Sequence, residues 1–232
     1  MRRFYKTAVA APAEGGFAVH LDGKPIRTPA KRPLIVPSAP LAEAIAGEWA
    51  GQGKEVEPLS MPLMRLACTA VDRVAGNRDA VVKEIAGYAQ TDLLCYRAEH
   101  PPELAERQSD AWQPLLDWAL MRFDARLTVV DGVMPQAQSE EALRSLHAAV
   151  ADRDDLTLVA LNAAVVASGS LIVGLALLEG EIDAARAFEV SQIDESYSIE
   201  TWGEDEELTR RREIIARDIG DAERFMTLVK VA

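Results

Sequence analysis

The hydrophobic period of this chain changes once, at Pro37, and that change constrains the fold more than any other feature of the sequence. Before it, apolar and polar residues alternate over short runs at 4–9, 17–21, 26–28 and 34–36, which predicts strands. The turns between them are explicit. Glu14-Gly15-Gly16 supplies residues that tolerate positive φ, and Asp22-Gly23 is a strong two-residue hairpin signal. Pro25, Pro29, Pro33 and Pro37 each lack a backbone donor, which confines them to strand ends or edges. After Pro37 the period becomes helical. Ser38 stands as an N-cap before Leu41, Ala44, Ile45 and Trp49, which share one face, and Gly51 and Gly53 end the run. A second helix is predicted from Ser60, with Leu63, Leu66, Ala67, Ala70, Val71 and Val74 on one stripe, stopping at Gly76-Asn77. Further helices are predicted at 79–90, 102–123, 139–151, 156–168, 170–180, 183–200 and 205–229, and only 93–96 and 127–130 look extended. The expected fold is α+β: a small antiparallel β-rich N-terminal domain over 1–53, then a larger, mainly helical C-terminal domain over 54–232.

One stretch, 156–178, contains no charged side chain and is long enough to cross a bilayer. Its flanks argue otherwise. Asp152, Asp154 and Asp155 precede it, Glu179 and Glu181 follow it, no aromatic belt marks either end, and Ser168-Gly169-Ser170 interrupts it. Two short, almost fully buried helices are the expectation. The net charge of −12, from 37 acidic against 25 basic residues, repels phosphate backbones and anionic headgroups, so nucleic acid and membrane surfaces are poor partners. Cys68 and Cys95 fit no disulfide framework and no CxxC spacing; they read as core residues in a reducing compartment. The start, Met1-Arg2-Arg3-Phe4-Tyr5-Lys6, leads into no apolar signal region, so the expected location is cytoplasmic.

Signals for chemistry are sparse. His20, His100 and His147 fall in a strand, a loop and a helix, and none has a second ligand at metal-binding spacing. Gly15-Gly16 lacks the lysine and the strand-to-helix setting of a phosphate loop. Ser168-Gly169-Ser170 lacks the pattern of a nucleophile elbow and reads better as a helix stop followed by an N-cap. No cofactor, metal or catalytic residue is implied.

What stands out is a run of carboxylates uninterrupted by any basic residue: Asp194, Glu195, Glu200, Glu204, Asp205, Glu206 and Glu207, before Arg210, Arg211 and Arg212. A helix starting near Glu204 accounts for the last four as acids at a positive helix end, with arginines one turn on. Asp194, Glu195 and Glu200 are less easily explained, because in a single helix over 183–200 they lie beside the apolar stripe and face either a groove or a partner's cations. Trp112 and Trp118, on an amphipathic helix with Leu115 and Leu116, read as core. Trp202, between Glu200 and Gly203 at a helix junction, either fills a gap or anchors a partner.

The chain resembles, nearly end to end, the alpha-subunit assembly chaperones of the F-type ATP synthase. The resemblance runs through Arg3-Phe4-Tyr5-Lys6, Leu21-Asp22-Gly23-Lys24-Pro25-Ile26-Arg27-Thr28-Pro29, Glu48-Trp49 with Gln52-Gly53, and Met61-Pro62-Leu63 to Ala70-Val71-Asp72-Arg73. It continues through Thr91-Asp92-Leu93-Leu94-Cys95-Tyr96-Arg97, Ser168-Gly169-Ser170-Leu171, and Asp194-Glu195 followed by Trp202-Gly203. It implies the same two-part fold and a transient partner, the free alpha subunit, whose interface the chaperone covers until the beta subunit displaces it. Covering an apolar interface reversibly suppresses self-association, and displacement requires modest, charge-steered binding. The chain is expected to be a monomer with no membrane insertion and no cofactor, with partner contacts around Glu195, Glu200, Trp202, Gly203, Glu204, Asp205 and Glu206, and the resemblance marks motif positions at Trp49, Asp92, Tyr96 and Arg97. Glu195 and Glu200 both match the important acidic position of that family. Trp49, on its helical stripe, is expected to support the fold. Lacking the transit extension of mitochondrial members, this chain is expected in a bacterial cytoplasm, with eukaryotic relatives in the mitochondrial matrix. The alternative is an enzyme with a carboxylate-lined cleft acting on a small cationic substrate, which a deep pocket joining Glu200 to Asp92 or Tyr96 would favour. A permanent subunit of a complex would show a large hydrophobic face, against which the mean hydropathy of −0.03 argues.

Overall fold

In the computed structural model, which describes residues 1–230, Asp22 and Gly23 sit at φ 48° and 82°, the two positive values a tight hairpin turn needs. Strand β1 (Ala8–Ala13) pairs antiparallel with β2 (Gly16–Leu21) from Ala8 opposite Leu21 to Ala13 opposite Gly16. The Asp22-Gly23 turn then carries β2 into the short β3 (Lys24–Pro25), and β4 (Ile35–Val36) pairs with Phe17 and Ala18 of β2. The first strand lies later than the expected 4–9. Residues 6 and 7 are diverted from a ladder because the Asp22 carboxylate accepts their N–H groups, at 3.1 Å from Lys6 and 2.9 Å from Thr7. Pro12 is tolerated because β1 is an edge strand; it lies opposite Phe17, one pair from the turn, where the ladder asks for no N–H. The expected strand at 26–28 shrinks to a single bridge between Arg27 and Pro33.

Helix α1 (Ala39–Ala50) starts as expected, with the Ser38 Oγ accepting from the Leu41 N–H at 3.2 Å. Leu41 and Ile45 are fully buried beneath it and Trp49 nearly so. A short turn at Pro58–Ser60 precedes α2 (Pro62–Thr69), which widens over Ala70–Val74 before stopping at Gly76-Asn77. The start of α2 is set by Glu48, whose two carboxylate oxygens accept from the N–H groups of Leu63 and Met64 at 2.8 Å each.

Helices α3 (Arg78–Gly87), α4 (Pro102–Phe123), α5 (Glu140–Ala151), α6 (Asp155–Ser168) and α7 (Leu171–Glu179) fall close to their predicted spans. Residues 93–96 form a helical turn at Leu93–Cys95 and only then extend into β5 (Tyr96–Arg97), which pairs in parallel with β6 (Val130–Asp131). The uncharged stretch is two helices. Gly169 at φ 72° breaks it and Ser170 caps α7, its Oγ accepting from the Val173 N–H at 3.0 Å. All of 171–178 is buried, and each fully buried Leu, Ile or Val there contributes about 1.5–3 kcal/mol. Among the described residues no helix is long and apolar enough to cross a membrane.

The single helix expected at 183–200 is two, α8 (Ala184–Ser191) and α9 (Ile193–Trp202), followed by α10 (Glu206–Lys230). The break has a specific cause. The Trp112 indole N–H donates to the Val190 carbonyl at 2.7 Å, taking the acceptor that a continuing helix would give to Asp194. Gln192 then leaves helical geometry at φ −121°, ψ 26°.

The chain forms two compact units. One comprises Met1–Arg78 with Asp154–Ala160 and the described residues from Arg224 to Lys230; the other comprises Asp79–Arg153 and Leu161–Glu223.

Candidate functional site

Helix α4 is the platform on which the carboxylate segment rests. Its Gln108, 2% exposed, donates from Nε2 to the Asp194 carboxylate at 2.6 Å and accepts from the Ala98 N–H at 2.7 Å. Its Arg107 pairs with Glu200 at 2.7 Å, with the guanidinium 5.4 Å over the Tyr197 ring. From α10, Arg212 donates to the Ser196 hydroxyl at 3.1 Å and lies 5.1 Å over the Phe188 ring. Asp194 and Glu200 therefore serve to hold α9 in place. Glu195 is different: half-buried on the same helix, its side chain has no hydrogen bond or ion pair among the described residues.

Beyond α9 the chain turns outward. Gly203, at φ 90° and ψ 168°, ends the helix, and its N–H returns to the Ile199 carbonyl at 2.8 Å. Trp202 just before it is 77% exposed, so it fills no gap in the core. Asp205 caps α10 by accepting from the N–H groups of Glu207 and Leu208 at 2.9 Å each, and Glu206 pairs with Arg210 one turn on at 3.2 Å. The helix-end explanation of these later acids thus holds for Asp205 and Glu206. Glu204 is exposed and unpaired among the described residues.

The motif residues Asp92, Tyr96 and Arg97 lie in the same unit but do another job. Asp92 is fully buried. Its carboxylate accepts from the Ser170 hydroxyl at 2.7 Å and from the N–H groups of Ile172 and Leu94 at 3.1 Å each. It thereby ties the Leu93–Cys95 turn to the start of α7, which explains why Thr91-Asp92-Leu93 and Ser168-Gly169-Ser170, far apart in sequence, belong together. Burial pushes its carboxyl above the ordinary range, and the donors from Ser170, Ile172, Leu94 and Leu171 offset only part of that. Arg97 is also buried. It donates to the Gln108 carbonyl at 2.8 Å and stacks 4.9 Å over Trp112, leaving its Nη2 without a partner among the described residues. Desolvation by burial lowers its pKa, with the nearby Asp131 carboxylate acting in the opposite direction. Tyr96 is half-buried in β5. Trp49, in the other unit, packs edge-on at 5.4 Å against Tyr5, whose hydroxyl donates to the Trp49 carbonyl at 2.7 Å.

Cys68 and Cys95 are buried and free, their thiols pushed up to about 11 and about 12 by burial. Among the described residues no group of three His, Cys, Asp or Glu side chains is arranged to hold a metal. What sequence reasoning missed is the role of Arg107 and Gln108, whose polar side chains on α4 gave no signal that they would pin Asp194 and Glu200.

The family model of the ATP12 chaperone protein matches residues 2–120, just over half of the chain. The chain belongs to the ATP12 chaperone family. Atp12 from Paracoccus denitrificans, a solved structure, is 42% identical and superposes with a TM-score of 0.94 over 98% of each chain. The Atu1473 protein of Agrobacterium tumefaciens is 40% identical with the same TM-score, covering 98% of this chain and 86% of that one. Among curated relatives, the mitochondrial protein atp12 of Schizosaccharomyces pombe is 23% identical over 214 residues, 87% of this chain and 74% of its own length. The ATP12 likeness thus extends past residue 120 into the segment that holds Glu195 and Trp202.

Proposed function

We propose that this chain is an assembly chaperone that binds the free alpha subunit of the F-type ATP synthase and shields its subunit interface until the beta subunit takes its place. The observation that carries this reading is the exposed Trp202 beside unpaired Glu195 and Glu204, on an arm braced from behind by α4, in a chain of the ATP12 chaperone family. An indole offers a large apolar anchor, and uncommitted carboxylates steer a cationic partner without requiring deep burial. Of the two acids that match the family's position, Glu195 is the one left for the client, because Glu200 is engaged by Arg107. Gly203, Asp205 and Glu206 shape and flank this surface. No catalytic role is assigned to the chain. A reaction cleft joining Asp92 to Glu200 has little to rest on, since Asp92 is sealed within its hydrogen bonds and Glu200 lies at the surface. A bacterial cytoplasmic location is part of this reading; the S. pombe relative is a mitochondrial protein.

The test is a pull-down with purified alpha and beta subunits. Retention of alpha is expected, and retention of beta without alpha contradicts the proposal.

A further inference from the structure

Residues 1–78 carry 11 basic and 7 acidic side chains in a chain whose net charge is −12, so this stretch is positive while the rest is strongly acidic. Within it lies a cleft of about 490 Å³, comparable to an ordinary ligand site. Its apolar lining includes Met61 and Met64 with Trp49, and its cationic lining is Arg27, Arg65 and Arg73. Methionines re-pack readily around different apolar side chains. Arg65 and Arg73 are exposed, and neither side chain has a hydrogen-bond or ionic partner among the described residues. Arg27 gives one N–H to the Lys31 carbonyl at 2.9 Å. Asp72, the acid in the lining, is engaged by the Thr28 hydroxyl at 2.7 Å and the Ala30 N–H at 3.0 Å and makes no ion pair with the arginines among the described residues, so the lining holds three guanidinium groups against one carboxylate.

Trp49 adds an independent observation. It is 8% exposed and lines the cleft, yet its indole N–H has no acceptor among the described residues. A buried donor without a partner is unfavourable, and a nearby backbone carbonyl from a bound segment would relieve it.

We propose that this cleft is a docking site for an extended protein segment that is apolar in its middle and bears Asp or Glu at its flanks. The methionines take the apolar side chains, the arginines take the carboxylates in charge-assisted hydrogen bonds, and a segment carbonyl accepts from Trp49. This gives the chaperone a second contact of opposite charge preference to the Glu195 and Trp202 arm. That the segment belongs to the alpha subunit rests on the proposed function; the chemical preference of the cleft does not.

The experiment is a fluorescence anisotropy titration of the full chain with two labelled peptides of equal length, one leucine-rich with flanking aspartates and one leucine-rich with flanking lysines. The aspartate peptide is expected to bind at least about tenfold more tightly. The double variant Arg65→Glu, Arg73→Glu is expected to reverse that preference with its melting temperature unchanged. Equal binding of both peptides, or a preference that survives the double charge reversal, overturns the proposal. A chain that selects the aspartate peptide at this cleft but fails to retain the alpha subunit upholds the cleft and rejects the client. Capture of alpha without any peptide selectivity does the reverse.

Discussion

Arg107 and Glu200 are joined by a 2.7 Å ion pair, whereas Glu195 on the same helix has no partner among the described residues. Two carboxylates that the sequence presents as equivalents are therefore separated by one arginine on α4. Glu200→Gln is expected to remove an exposed pair worth about 0.2–1 kcal/mol, seen as a small drop in melting temperature, and to leave client capture within about threefold of the original.

Trp202 tests the anchor. At 77% exposure it contributes little to the core, so Trp202→Ala should leave the denaturation midpoint essentially unchanged. Loss of an interface anchor of this type is expected to weaken alpha-subunit binding by about 2 kcal/mol or more, measured by titration calorimetry.

Asp92 predicts the opposite division, stability without a direct binding role. Asp92→Ala strands the Ser170 hydroxyl and the buried N–H groups of Leu94 and Ile172, and is expected to cost about 3–5 kcal/mol in chemical denaturation. Asp92→Asn retains part of the network and should lose less. The pH dependence follows from the direction of its shift. Its folded value lies above the ordinary 3.8, so the folded state holds the proton more tightly than the unfolded chain. Its contribution is then greatest below that ordinary value and falls as pH rises through the raised one. The advantage of the original chain over Asp92→Asn in denaturation midpoint should therefore shrink as pH rises across that range.

Much of the fold could be read directly from local chemistry. Asp22-Gly23, the Ser38 cap, the Ser168-Gly169-Ser170 break and the α4 span all rest on short-range rules and all formed. The misreadings arose where a distant group intervened. The Asp22 carboxylate displaced the first strand by taking the Lys6 and Thr7 N–H groups, and Trp112 split the helix at 183–200 by taking the Val190 carbonyl. The carboxylate segment was visible as a charge run, but which acids it keeps free depends on Gln108 and Arg107, some 90 residues earlier in sequence, and no local pattern encodes that pairing. The cleft beside Trp49 likewise depends on α2 and on the loop around Arg27, which come together only in the fold.

Trp112→Phe separates those effects. It keeps the ring under Arg97 but removes the donor to Val190, and should destabilise the protein by about 1–3 kcal/mol while releasing the constraint at Gln192. Faster amide exchange at residues 191–196 is the expected signature.

The most direct test compares alpha-subunit affinity for the original chain with that for Glu195→Lys and Glu200→Lys, with melting temperatures recorded for each. A loss of at least about tenfold for Glu195→Lys, at an unchanged melting temperature and exceeding the loss for Glu200→Lys, is the predicted outcome. Unchanged affinity in Glu195→Lys contradicts the assignment of the acidic arm as the client-binding surface.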